Sequence, residues 1–91
     1  MIVKQLNLTS GVAQEVKFNE PHYRFLVKNF TSGDIKVSVG EPISEDNYAI
    51  IPSDSWEKIS NNEKYCWDVF AADSLFVESA NGGTVEVRVL C

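Results

Sequence analysis

Apolar and polar residues alternate with a period of two along most of the chain, and no stretch of ten or more residues carries an apolar stripe at helical spacing. That period predicts strands. In MIVKQLNL, Ile2, Leu6 and Leu8 share a side with Lys4, and this side is expected to face inward until Thr9-Ser10-Gly11 ends the strand. In AQEVKFN, Val16 and Phe18 share a face, and the strand is expected to stop at Glu20-Pro21, because proline cannot donate to a central ladder. RFLVKNF follows, with Tyr23, Phe25, Val27 and Asn29 on one side and Arg24, Leu26, Lys28 and Phe30 on the other. Apolar groups on both faces predict a central strand. Ile35, Val37 and Val39 then alternate with Lys36 and Ser38, and the intervening Thr31-Ser32-Gly33-Asp34 predicts a hairpin in which Gly33 takes a positive φ.

Beyond Val39 the same pattern continues in shorter pieces. EPISEDNY reads as an acidic loop and YAIIP as a short strand closed by Pro52. SDSWEKIS favours a strand, although Ser53 followed by Trp56-Glu57 also has the form of a helix start. NNEKY reads as a turn, and YCWDVF alternates Tyr65, Trp67 and Val69 against Cys66, Asp68 and Phe70. DSLFVES pairs Leu75 with Val77, and Asn81-Gly82-Gly83 predicts a type I′ hairpin leading into Val85, Val87 and Val89, with Glu86 and Arg88 outward. Seven or eight short strands separated by turn signals predict an all-β antiparallel sandwich in one domain over residues 1–91, with jelly-roll and immunoglobulin-like wirings both open. MIVKQLNL and TVEVRVLC are the expected edge strands, which symmetric self-association would cover.

Composition narrows the function classes. A chain of 91 residues has core enough for one domain, and 44% hydrophobic residues with ten aromatics spread along it favour a folded state. Thirteen acidic against eight basic residues give a net charge of −5, which repels a phosphate backbone unless the cations gather on one face. Lys4, Lys17, Arg24, Lys28, Lys36, Lys58, Lys64 and Arg88 occur singly in sequence, so no nucleic-acid partner is expected. No apolar run has the length of a signal peptide or a membrane span, and the expected location is the cytoplasm, with no membrane partner. Cys66 and Cys91 are expected as free thiols.

Candidate chemistry is sparse. His22 is the one histidine, and no Gly-x-Ser-x-Gly elbow or cysteine-protease motif surrounds a possible nucleophile, so an ordinary strand-edge histidine is expected over a Cys66/His22 or Ser/His22/Asp site. One His and two distant Cys cannot supply a structural zinc site. Glu41, Glu45, Asp46 and Asn47 offer oxygen ligands without the order of an EF-hand loop, and a solvated loop is the expectation. Glu57, Asp68, Asp73 and Glu78 could pair as glycosidase carboxylates, as acids in any acidic domain could. No catalytic residue, metal or cofactor is therefore assigned. The sequons Asn7-Leu8-Thr9 and Asn29-Phe30-Thr31 have no consequence without a secretory signal. Among the aromatics, Trp67 is expected in the core, and Phe30, Tyr48 and Trp56 are the candidate interface residues. A carbohydrate-binding surface in which Trp56 and Tyr48 stack on sugars beside the acidic loop is the alternative.

The order FLVKNFTSGDIKVSVGEPISEDNYAIIPSDSWEKI, an aromatic strand and a closing GGTVEVRVL resembles small β-rich accessory proteins encoded beside structural genes in phages and prophages of Gram-positive bacteria. The shared features, from Phe25 onward, are a strand ending in Lys-Asn, a Gly-Asp turn, an Ile-Pro-Ser segment and a terminal valine-rich strand. The resemblance implies a virion component, such as a head-decoration, head-fibre or tail-accessory protein. Such a protein acts by binding a shell or tail and by self-association, and it brings no catalytic residues with it.

Overall fold

A computed structural model describes residues 2–60 and 71–90, with nothing described of the Ser60 side chain. The strand YCWDVF, the NNEKY turn, the core placement of Trp67 and the state of Cys66 and Cys91 lie outside the described residues. Eight strands are present among the described residues: β1 (Val3–Leu8), β2 (Gln14–His22), β3 (Arg24–Asn29), β4 (Ile35–Val39), β5 (Ala49–Ile51), β6 (Trp56–Ser60), β7 (Ala72–Ser79) and β8 (Gly83–Val89). They form two four-stranded antiparallel sheets ordered β1-β8-β3-β6 and β2-β7-β4-β5. The pairs β1–β8, β2–β7, β3–β6 and β4–β5 are nested one inside the next, as in a long hairpin rolled up on itself. Of the two wirings left open by the sequence, this is the jelly roll.

Period-two patterning explains the packing. Phe25 and Val27 of β3, Ile35 and Val37 of β4, Leu75 and Val77 of β7 and Val85 and Val87 of β8 are buried between the sheets, joined by Val16, Phe18, Ile51 and Ile59. Phe18 and Phe25 stack with centroids 5.4 Å apart and so tie β2 to β3 across the layers. Each such side chain contributes about 1.5–3 kcal/mol of burial. Leu6 and Leu8 also point inward from β1, as their alternation requires.

Three expectations about wiring are corrected. Neither Gly-containing turn closes a hairpin, because β3 and β4 belong to different sheets, as do β7 and β8. A glycine turn between alternating runs serves equally well as a hairpin or as an arch that stacks one strand's inner face on the other's; here apolar inner faces on both strands meet across the core. Gly82 and Gly83 do take positive φ (71° and 114°), whereas Gly33 does not. Pro21 does not stop β2, which runs on to His22 after a register irregularity that begins beyond Lys17. An edge strand tolerates this, since the missing N–H faces no partner. Finally, β8 is not an edge, for it lies between β1 and β3.

The turn at Thr31-Ser32-Gly33 is shaped by side chains in place of a left-handed glycine. Asn29 Nδ2 donates to the carbonyls of Gly33 (2.8 Å) and Ile51 (2.9 Å), and its Oδ1 accepts from the Thr31 backbone N–H (2.8 Å) and from Thr31 Oγ1 (2.7 Å). Ser53 Oγ closes the cluster by donating to the Thr31 carbonyl at 2.6 Å. This network joins the β3–β4 arch to the β5–β6 connection and satisfies polar groups that the core would otherwise strand. Asn29 is only 1% exposed, so the second sequon is occupied by structure whatever compartment the chain enters.

Candidate binding face

Strand register determines which side chains share the outer face of the β1 sheet, the side turned away from the β2 sheet. In β3, Phe25, Val27 and Asn29 are committed to the interior, so Arg24, Leu26, Lys28 and the following Phe30 project outward. Directly opposed partners lie on the same side of a sheet. Lys28 faces Trp56 on β6 and Glu86 on β8, and Leu26 faces Lys58 and Arg88. The outer face therefore holds a row of Val3, Arg88, Leu26 and Lys58 beside a row of Gln5, Glu86, Lys28 and Trp56.

Both candidate aromatics on this face are held by backbone structure. Phe30 N–H donates to the Thr84 carbonyl at 3.1 Å, and the inward commitment of Asn29 and Thr31 on either side forces its ring outward, where it is 55% exposed. Trp56 is delivered by the turn from Pro52 to Ser55, in which Ser55 N–H donates to the Pro52 carbonyl and Asp54 takes φ of 57°, a left-handed conformation that Asp tolerates. Trp56 is 66% exposed. Trp56 lies opposite Lys28, and Phe30 follows Lys28 by two residues on the same side, just beyond the end of β3.

The same face collects charge that is scattered in sequence. Arg24, Lys28, Lys58 and Arg88 are four of the seven described cations, and Glu86 is the one acid among them out of the eleven described. Glu86 is buried between Lys28 Nζ at 3.8 Å and Arg88 Nη2 at 3.4 Å, so it offsets part of the positive charge and braces the two side chains. Arg24 and Lys58 are exposed and have no ion pair among the described residues. A chain of net charge −5 thus presents one surface of opposite sign. No feature of the sequence around any one of these residues signals it; the grouping follows from the order β8-β3-β6.

Tyr48 is elsewhere. It immediately precedes β5, and Lys36 Nζ lies 4.8 Å from its ring centroid, on the outer side of the β2 sheet where Lys36 faces Ile50. Trp56 and Tyr48 accordingly occupy opposite faces of the sandwich, and the structure does not bring them together as a shared stacking platform. His22 packs edge-on to Phe18 (5.7 Å) and Phe25 (6.4 Å). The adjoining recess is lined, among the described residues, by Ile2, Lys4, Phe18, Asn19, Glu20 and His22, with no Ser among them. Asp73 pairs with Lys17 at 3.6 Å, and Asn47 closes the acidic loop by accepting from Ser44 N–H and donating to the Pro42 carbonyl. No group of three or more His, Cys, Asp or Glu side chains placed to hold a metal occurs among the described residues.

Three of the four edge strands are poorly suited to open-ended pairing. β2 carries the irregularity and Pro21, β5 has three residues followed by Pro52, and β1 places Lys4 in the inward-facing set, with Nζ 5.7 Å from the Phe18 centroid. Short edges, bulges, prolines and inward charges each oppose strand addition. The outer face of the β1 sheet carries exposed Trp56 and Phe30 together with Arg24, Lys28, Lys58 and Arg88. No helix of the described residues is long and apolar enough to cross a membrane. Comparison of the chain with protein-family models, curated proteins and solved structures returns no match.

Proposed function

We propose that this protein is a non-enzymatic structural module that works by protein–protein contact and self-association through the outer face of the β1 sheet. The observation that carries this reading is the exposure of Trp56 and Phe30 on the same outer face as Arg24, Lys28, Lys58 and Arg88. Tryptophan and arginine are the residues most enriched at binding hot spots, and a sheet holds them in place before the partner arrives, which lowers the entropy lost on binding. The jelly roll and the resemblance of the segment from Phe25 onward to phage accessory proteins support a virion role, such as head decoration, head fibre or tail accessory. Fold alone does not assign function, so the face carries the argument.

The test is quantitative mass spectrometry of phage or phage-like particles purified from the organism that encodes the chain. The protein is expected in multiple copies per particle, and a Trp56→Ala/Phe30→Ala variant that folds normally is expected to be lost from them. A chain found only in the soluble lysate, or a variant incorporated as well as wild type, contradicts the proposal.

A further inference from the structure

Charge is divided unequally between the two faces of this sandwich, and that division bears on how copies would meet. Among the described residues the outer face of the β1 sheet is net positive, while ten of the eleven described acids lie elsewhere. Phe30 and Trp56 stand at the end of the sandwich where β3 crosses to β4 and β5 crosses to β6. At the other end, β4 leaves through loop 40–48, which carries Glu41, Glu45 and Asp46, and β7 begins at Ala72 and Asp73. There Pro21, Val39, Gly40, Glu41, Ala72 and Asp73 line an open depression of about 550 Å³. Gly40 N–H donates to the Ser74 carbonyl (2.9 Å), and the Ser38 hydroxyl donates to the Glu41 carbonyl. Its acidic rim is thereby fixed to the sheet.

From this we infer that the occupant of the cationic face is the acidic end of a second copy, in a head-to-tail contact; the inference rests on the contact surface proposed above. A two-fold contact that set the same face against itself would bring four cations opposite four cations, and like charges across an interface are repulsive. The opposite pairing sets Arg24 and Lys58 against Glu41, Glu45 and Asp46 and lets Trp56 or Phe30 enter a concave, acid-rimmed surface. A heterologous contact of this kind adds copies in one direction, closing to a ring if the rotation allows and otherwise continuing as a filament. Because exposed charges contribute, association weakens as salt screens them.

The experiment uses light scattering over a dilution series with wild type, Arg24→Glu/Lys58→Glu, and Glu41→Lys/Glu45→Lys/Asp46→Lys, each first shown by circular dichroism to be folded. Wild type is expected to associate, with an apparent Kd raised at least about tenfold on going from low to roughly 0.5 M salt. Each variant alone is expected to be monomeric, since one lacks the face and the other lacks the acidic end. Their equimolar mixture, which still has one intact copy of each surface, is expected to give a species of twice the monomer mass. A wild-type monomer at every concentration, a mixture that stays monomeric, or a variant that associates as well as wild type overturns the inference. So does an anisotropy rise of labelled oligo(dT) that Arg24→Glu/Lys58→Glu abolishes, because a single strand would then occupy the face. A monomeric wild type would leave contact with a different protein standing, and the particle measurement reads that separately.

Discussion

Truncating Asn29 tests how the sequence turns the chain at Thr31-Ser32-Gly33 and why Phe30 faces outward. Asn29→Ala removes four hydrogen bonds, two donated and two accepted. The Gly33 carbonyl keeps a partner, because Thr31 Oγ1 lies 2.8 Å away and is freed to donate to it. The Thr31 N–H and the side-chain-bonded lone pair of the Ile51 carbonyl do not. Two buried orphaned groups at about 1–3 kcal/mol each lead to an expected loss of about 2–6 kcal/mol. For a domain of this size, whose whole stability is of order 5–14 kcal/mol, that brings the variant near the unfolding threshold. Thr31→Val keeps the side-chain shape and both Asn29 donations but loses the hydroxyl, and is expected to cost about 1–2 kcal/mol. Phe30→Ala, between them in sequence, removes an exposed ring and is expected to change stability by less than about 0.5 kcal/mol. Urea unfolding followed by far-ultraviolet circular dichroism gives all three values. Equal midpoints for Asn29→Ala and Phe30→Ala would refute the network as the organiser of this turn.

Other outcomes follow from the same packing. Gly83→Ala meets Thr31 atoms at 3.0–3.2 Å in a φ of 114° that side chains rarely adopt, and is expected to lower stability by about 2–4 kcal/mol; Gly11→Ala, with φ of 70° and open space around it, is expected to cost about 1 kcal/mol in the same urea assay. Val87→Asp buries an unpaired carboxylate at a fully enclosed site and is expected to abolish the cooperative transition. Arg88→Glu places a like charge against buried Glu86 and is expected to cost about 1–2 kcal/mol while leaving the fold intact. Lys4→Val makes the inward-facing set of β1 wholly apolar, and is expected to raise the rate of turbidity growth at constant stability, because the charge that opposes edge pairing is gone.

The strands were legible because inward and outward residues alternate so regularly: β4 and β8 follow from three spaced branched residues each, and the central position of β3 from apolar groups on both of its faces. Wiring was not legible. Asn81-Gly82-Gly83 has the composition of a tight hairpin, yet its positive φ values serve an arch between sheets, and local turn chemistry does not distinguish the two. The turn at Gly33 misled for a related reason, since the bonds that bend it come from Asn29 and Thr31, whose side chains read as ordinary strand and turn positions. Of the aromatics singled out in sequence, Phe30 and Trp56 share a face and Tyr48 does not, a distinction that depends on cross-strand register. The cations Arg24, Lys28, Lys58 and Arg88 span most of the chain, so only the adjacency of β3, β6 and β8 reveals them as one surface.

Hydroxyl-radical footprinting by mass spectrometry, with the protein free and in its assembled or particle-bound state, tests the central claim most directly. The account predicts that oxidation of Trp56 and Phe30 falls several-fold on assembly while Ile50, on the opposite face, remains as reactive as in the free chain. Protection of Ile50 with Trp56 and Phe30 still fully labelled would contradict it and move the contact surface to the β2 sheet.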